Sequence, residues 1–168
     1  GHKPTYVHSL MVAELTRALL QRQIETRPET PVGLLGCRSA AEVQARREEL
    51  CQTAYECGLY HGLGKCAVLM YIDNNARRLL DEEFFCIQSH PRTGADILNR
   101  MGCGRTLALA ALYHHCYYNG KGGYPNDVPS CPPEIKGIVD ALSVADSLDA
   151  ATDNIGRCYN LAQPFRTL

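Results

Sequence analysis

The sequence carries no surplus of charge: 17 lysines and arginines stand against 18 aspartates and glutamates, a net charge of -1. With no global positive field to hold a nucleic-acid polymer or an anionic membrane, a small ligand is the better expectation. There is no run of about 18 apolar residues, and the N-terminus lacks the charged, apolar, small-residue order of a secretory signal, so neither a membrane span nor export is expected. C-x-x-C spacing is also missing. The nine cysteines are odd in number and scattered from Cys37 to Cys158, which argues against a disulfide framework or a thiolate zinc site and for reduced thiols in a cytoplasm. Period-two alternation is scarce, and neither a repeat nor a low-complexity segment is present, which excludes sheet-built and repeat architectures.

What is present is helical periodicity, in a chain of 168 residues, enough for one domain with a real core and too little for two ordinary ones. The expected fold class is all-α. A first helix is expected to about Gln23, burying Val7, Met11, Leu15, Ala18 and Leu19, with His8 on the border of that stripe. A loop marked by Pro28, Pro31, Gly33 and Gly36 follows. Ser39 with Glu42 then reads as a capping box for a helix whose Val43, Leu50, Ala54, Cys57 and His61 share one face, ended by Gly62 and Gly64. Asp81 is expected to cap a short helix that buries Phe84, Phe85 and Ile87 and closes at His90-Pro91. Leu107, Ala110 and Ala111 lead a helical stripe into His114 and His115, broken by the glycines from Gly120 onward. Pro132 and Pro133 open a last helix, with Ile135, Ile138, Leu142 and Ala145 buried and Asp146 and Asp149 on the same side.

Five of the six histidines, His8, His61, His90, His114 and His115, fall at or beside inward-facing stripes, and Asp146 continues an apolar face. A buried carboxylate is costly unless it is paired or metal-bound. Imidazoles with a carboxylate suit iron, manganese or zinc, whereas magnesium and calcium prefer oxygen. Two other patterns are set aside. Gly120-Lys121-Gly122-Gly123 lacks the spacing of a phosphate loop and follows a helix instead of a strand, and Cys116 beside His115 has no orienting acid for a thiol nucleophile. Arg46, Arg47, Glu48 and Glu49 read as a solvated face. Arg77-Arg78 read as the same or as a phosphate contact, and Tyr113, Tyr117 and Tyr118 as packing residues.

Taken in order, His8 in YVHSLMVAEL, His61 in HGLGK, His90 in SHPRTG, the pair in HHCYYNGKGGYP and Asp146 in VADSLDAATDN resemble the HD-GYP branch of the HD metal-dependent phosphohydrolases, from Tyr6 to Tyr159. The resemblance implies a helical bundle around two or three divalent transition metals, hydrolysing the bacterial second messenger cyclic di-GMP to its linear dinucleotide or to GMP. It implies His8, His61 and Asp146 on one metal and His90, His114 and His115 on another. Lys65 would lie at the scissile phosphate, Gly122, Gly123, Tyr124 and Pro125 at the substrate, and Asp149 would orient a ligand or a water. The sequence departs from the family where His-Asp is replaced by His61-Gly62, which removes the carboxylate that bridges both metals. Cys116 stands where glutamate is common, and GKGGYP has one extra glycine.

Three readings follow: an active phosphodiesterase with an adapted site, a degenerate domain that binds nucleotide or a partner protein, or an ordinary enzyme in which Gly62 was introduced. The start at Gly1-His2 without Met leads to the expectation of one HD-GYP domain over 1–168, cut from a longer cytoplasmic protein with regulatory domains.

Overall fold

In a computed structural model, which describes residues 3–68 and 80–152, the chain is all-α. Eight α-helices are formed among the described residues: α1 (Lys3–Thr26), α2 (Ala40–Ala45), α3 (Arg47–Tyr60), α4 (Lys65–Val68), α5 (Asp81–Ile87), α6 (His90–Arg100), α7 (Arg105–Tyr113) and α8 (Pro133–Thr152). There is no strand among them, only an isolated bridge between Cys116 and Gly123. Arg77 and Arg78 lie outside the described residues, as does the segment after Thr152. No helix of the described residues is long and apolar enough to cross a membrane, and their eight cysteines are free thiols.

The main core is a wedge of α1, α3 and α8. Val12, Leu20 and Ile24 of α1 meet Leu50, Ala54 and Cys57 of α3 and Ile138, Leu142 and Ala145 of α8. A second cluster, Ala95, Leu98, Ala108 and Ala111, joins α6 to α7. Small residues dominate it, so those two helices approach closely.

Local signals account for most helix ends. The Ser39 hydroxyl accepts the Glu42 amide at 3.1 Å, while the Glu42 carboxylate accepts the Arg38 amide at 2.9 Å. The reciprocal bond of the expected capping box is thus made one residue early. Arg46 breaks the expected single helix into α2 and α3. It is more than a solvated residue, because its guanidinium donates to the Leu35 carbonyl at 3.0 Å and pairs with Glu49 at 2.7 Å.

Four expectations are corrected. In α1, Val7, Met11, Ala18 and Leu19 face outward, and the buried row is His8, Val12, Thr16, Leu20 and Ile24. That row contains polar groups, which made it look like the weaker face; Thr16 satisfies itself by donating to the Val12 carbonyl at 2.7 Å. α1 also runs three residues past Gln23, to Thr26, and stops just before Arg27-Pro28, since the residue preceding a proline is pushed out of the helical region. Phe84 and Phe85 are exposed, and Leu80 caps α5 in place of Asp81, its amide held by the Glu83 carboxylate at 2.9 Å. Finally, His90-Pro91 does not close α5 but opens α6, because proline fits the first turn of a helix, where its missing amide would have no partner anyway.

The turn at residues 61–64 is pressed onto the start of α6. A methyl group at Gly64 would lie 2.0 Å from the His90 carbonyl oxygen and 2.6 Å from the Gly94 nitrogen. At Gly62 the nearest atoms are those of the Lys65 side chain, at 3.6 to 3.9 Å, an ordinary contact with a flexible neighbour. Gly64→Ala should therefore cost about 1–3 kcal/mol or more by overpacking, and Gly62→Ala less than about 1 kcal/mol. Urea denaturation of the two variants measures the difference, and equal midpoints would contradict this packing.

Candidate metal centre

Three histidines share one local device. His61 follows the last residue of α3, His114 follows the last residue of α7, and His90 comes after the turn that ends α5. Each donates from Nδ1 to the carbonyl three residues back: His61 to Gly58 at 2.6 Å, His90 to Ile87 at 2.7 Å, His114 to Ala111 at 2.7 Å. The acceptors belong to the last turns of their helices, where carbonyls have no partner within the helix. Because a carbonyl can only accept, the proton sits on Nδ1, and Nε2 carries a lone pair into the bundle. His8 follows the same scheme with a carboxylate, its Nδ1 bonding Asp149 Oδ2 at 2.6 Å.

All six residues expected as ligands meet in one cluster. His8, His61 and Asp146 form one trio and His90, His114 and His115 another, the ligand atoms of each lying within 4.8 Å of one another. Asp146 Oδ1 is 3.0 Å from His8 Nε2 and 3.6 Å from His61 Nε2, and its Oδ2 is 3.7 Å from His115 Nε2. The rings form a continuous chain, with His61 and His114 centroids 5.0 Å apart and His90 and His115 5.1 Å apart.

The donor set fits a cation on two observations. First, Nε2 of His8 and of His61 are buried and make no hydrogen bond. Although His8 Nε2 approaches Asp146 Oδ1 as closely as an ion pair, the hydrogen-bond geometry is not met. Second, His90 Nε2 and His114 Nε2 lie 3.1 Å apart. With both protons committed at Nδ1, two lone pairs point at each other, an arrangement that a cation relieves.

Burial, Lys65 and His115 together hold His90 down at about 2, and burial against the pull of Asp146 leaves His115 at about 4. Burial also keeps His61 and His114 below the ordinary imidazole range. Burial opposes the charge on His8 and on Asp146 as well, but the adjacent carboxylates of Asp146 and Asp149 raise His8, and His61, His8 and Lys65 keep Asp146 ionised well below the usual carboxylate range.

The glycine-rich loop lies against His115. The His115 carbonyl accepts the Tyr124 amide at 3.1 Å, and the Tyr124 ring stacks on the His115 imidazole with centroids 4.5 Å apart. Gly123 has φ +81, and a Cβ there would lie 2.0 Å from the His115 carbonyl oxygen, so the loop closes over His115 only because that residue is glycine. Cys116, expected in a longer helix, instead lies beyond the end of α7 with its thiol 3.4 Å from the Pro125 carbonyl, and burial pushes the thiol up. Lys65 opens α4, its side chain lying beside Gly62. Nothing in the sequence signalled the Gly58, Ile87 and Ala111 carbonyls as functional, since main-chain groups carry no residue-type signature; their spacing of three before a histidine at a helix end is the only trace.

Residues 5–151 match the HD domain family. A cyclic di-GMP phosphodiesterase of Pseudomonas aeruginosa is 30% identical over an alignment that takes in 98% of this chain and 34% of the relative. The chain thus spans about a third of the length of the curated relative it matches. No solved structure matches.

The neutral imidazoles set a pH dependence for the metal-free protein. His61, His90, His114 and His115 have folded values below the ordinary 6.5, so below that pH the unfolded chain binds protons that the folded one refuses. Stability is lost as pH falls from 6.5 toward those depressed values, by at most about 1.4 kcal/mol per pH unit for each group. His8 opposes this, since its raised value adds stability below 6.5 that is lost as pH rises through its folded value. Four groups outweigh one. Asp146 adds stability above the ordinary 3.8, so its contribution is lost only in stronger acid. After chelation, the urea midpoint should drop clearly between pH 7.5 and pH 5.5, and an equal or higher midpoint at pH 5.5 would contradict the neutral-imidazole arrangement.

Proposed function

Since this chain belongs to the HD domain family, we propose that it is a metal-dependent phosphohydrolase of the HD-GYP type acting on a cyclic guanine dinucleotide, with turnover limited by the glycine at position 62. The observation that carries this reading is the pair of trios with every hydrogen-bonded imidazole committed at Nδ1 and open at Nε2. His8, His61 and Asp146 would hold one divalent ion and His90, His114 and His115 a second, with iron, manganese or zinc suited to such nitrogen-rich donors. Such ions, when bound, supply Lewis-acid polarisation of phosphoryl oxygens and activation of water.

The protein's own groups do the rest. Asp149 fixes the His8 ring through Nδ1, as carboxylates commonly do behind a ligating histidine. Lys65 brings a positive charge that His8, His61, His90, His115 and Asp146 feel, suited to a phosphodiester bound at the mouth of the cluster. The Tyr124 ring, flanked by Gly122, Gly123 and Pro125, orients His115 and offers an aromatic edge to a purine. The relative's activity on cyclic di-GMP is the support for that dinucleotide as substrate, and its Pseudomonas source is the support for a bacterial setting.

A second reading, a domain that binds the dinucleotide or a partner protein without hydrolysing it, is favoured by Gly62 alone, because the HD aspartate is absent there. The Lys65 side chain at ordinary contact distance from an added Cβ shows that the backbone at that position tolerates a side chain.

Elemental analysis should find iron, manganese or zinc at near-stoichiometric level, and a protein empty even after reconstitution would remove the proposal. Calorimetry should detect cyclic di-GMP or its linear product, with Lys65→Ala weakening that binding while leaving metal content intact. Turnover of the unaltered protein should be slow or absent, and Gly62→Asp should tighten the second ion and raise the rate, each tenfold gain in rate corresponding to about 1.4 kcal/mol of barrier. Equal rates in the two would show that the carboxylate missing at 62 limits nothing.

A further inference from the structure

We propose that Asp146 bridges the two trios, one carboxylate oxygen to each, and so supplies the second trio with the negative ligand that position 62 lacks. This rests on the metal reading above and goes further, since that reading leaves the second ion with neutral imidazoles only.

The two oxygens of Asp146 face different trios. Oδ1 stands 3.0 Å and 3.6 Å from the Nε2 atoms of His8 and His61, and Oδ2 stands 3.7 Å from that of His115. Two atoms bound to one ion at about 2.0–2.2 Å lie roughly 3 to 3.6 Å apart. The His8 and His61 distances fall in that range, as does the 3.1 Å between His90 and His114, and the 3.7 Å to His115 lies just beyond it. Asp146 therefore has the spacing of a ligand toward His8 and His61 through Oδ1, and its Oδ2 approaches the second trio at His115.

No other carboxylate competes for this place among the described residues. Neither trio contains a second one, and Asp149 is engaged behind His8 at Nδ1. Cys116, which occupies the position where glutamate is common, turns its thiol to the Pro125 carbonyl. Asp146 is also held in place, 6% exposed, on a helix anchored just before it by the buried Leu142 and Ala145.

The test counts ions instead of turnovers. Chelated protein is titrated with Mn(II) by calorimetry, and the ions retained after desalting are measured, for the unaltered chain, His8→Ala and Asp146→Asn. The unaltered chain should take up about two ions, and His8→Ala should keep the second-trio ion at unchanged affinity. Asp146→Asn should weaken both sites, roughly tenfold to a hundredfold or more, and adding Gly62→Asp to it should restore the second ion. An Asp146→Asn protein that keeps one ion at the unaltered affinity overturns the bridge while leaving the metal reading standing. An unaltered chain that binds no Mn(II), zinc or iron overturns both. Circular dichroism checks that each variant folds. Should Asp146→Asn not fold, electron paramagnetic resonance of the Mn(II)-loaded unaltered protein decides: an exchange-coupled pair supports the bridge, and two uncoupled ions overturn it.

Discussion

The hydrogen bonds that His61, His90 and His114 donate from Nδ1 to the carbonyls of Gly58, Ile87 and Ala111 tie the ends of three helices to the chemistry of the centre. A helix end leaves carbonyls without partners, and buried ones must find donors. An imidazole three residues on satisfies one of them and, in doing so, fixes its tautomer and aims its other nitrogen inward. The centre is thus made of helix termini, and the short turns and glycines around it follow. Gly64 lets the turn after α3 press on α6, and Gly123 lets the loop after α7 fold back over His115.

The same commitment makes the interior electrostatically unfinished. Four imidazoles are kept neutral by burial, two of them with lone pairs face to face, and one carboxylate remains ionised among them. In a low-dielectric interior such lone pairs are expensive to leave unpaired. A dication resolves the arrangement more completely than protons do, because it can take several lone pairs at once. Among the described residues, Asp146 is the carboxylate grouped with these imidazoles.

Much of this was legible in one dimension. The helical class, the breaks at the glycines and prolines, the inward face of Val43, Leu50, Ala54, Cys57 and His61, and the buried face of α8 follow from periodicity and turn chemistry, and the structure has them. Periodicity misjudged α1, because a helix offers several faces and the buried one here carries His8, Thr16 and Ser9. It also buried Phe84 and Phe85, which are exposed, because hydrophobicity says what a residue tolerates and leaves open whether a partner surface is there to cover it.

The sequence by itself determined the composition of the candidate site: five histidines and an aspartate placed at helix ends and on an apolar face, where residue type and local spacing alone announce a polar centre. Only the tertiary structure decided how these groups are shared. That Asp149 stands behind His8, that Tyr124 stacks on His115, and that Asp146 turns one oxygen to each trio depend on the packing of α1, α3, α7 and α8. Contacts between residues more than a hundred positions apart, such as His8 with Asp149, leave no local pattern, because the angle at which helices cross is set by the whole core at once.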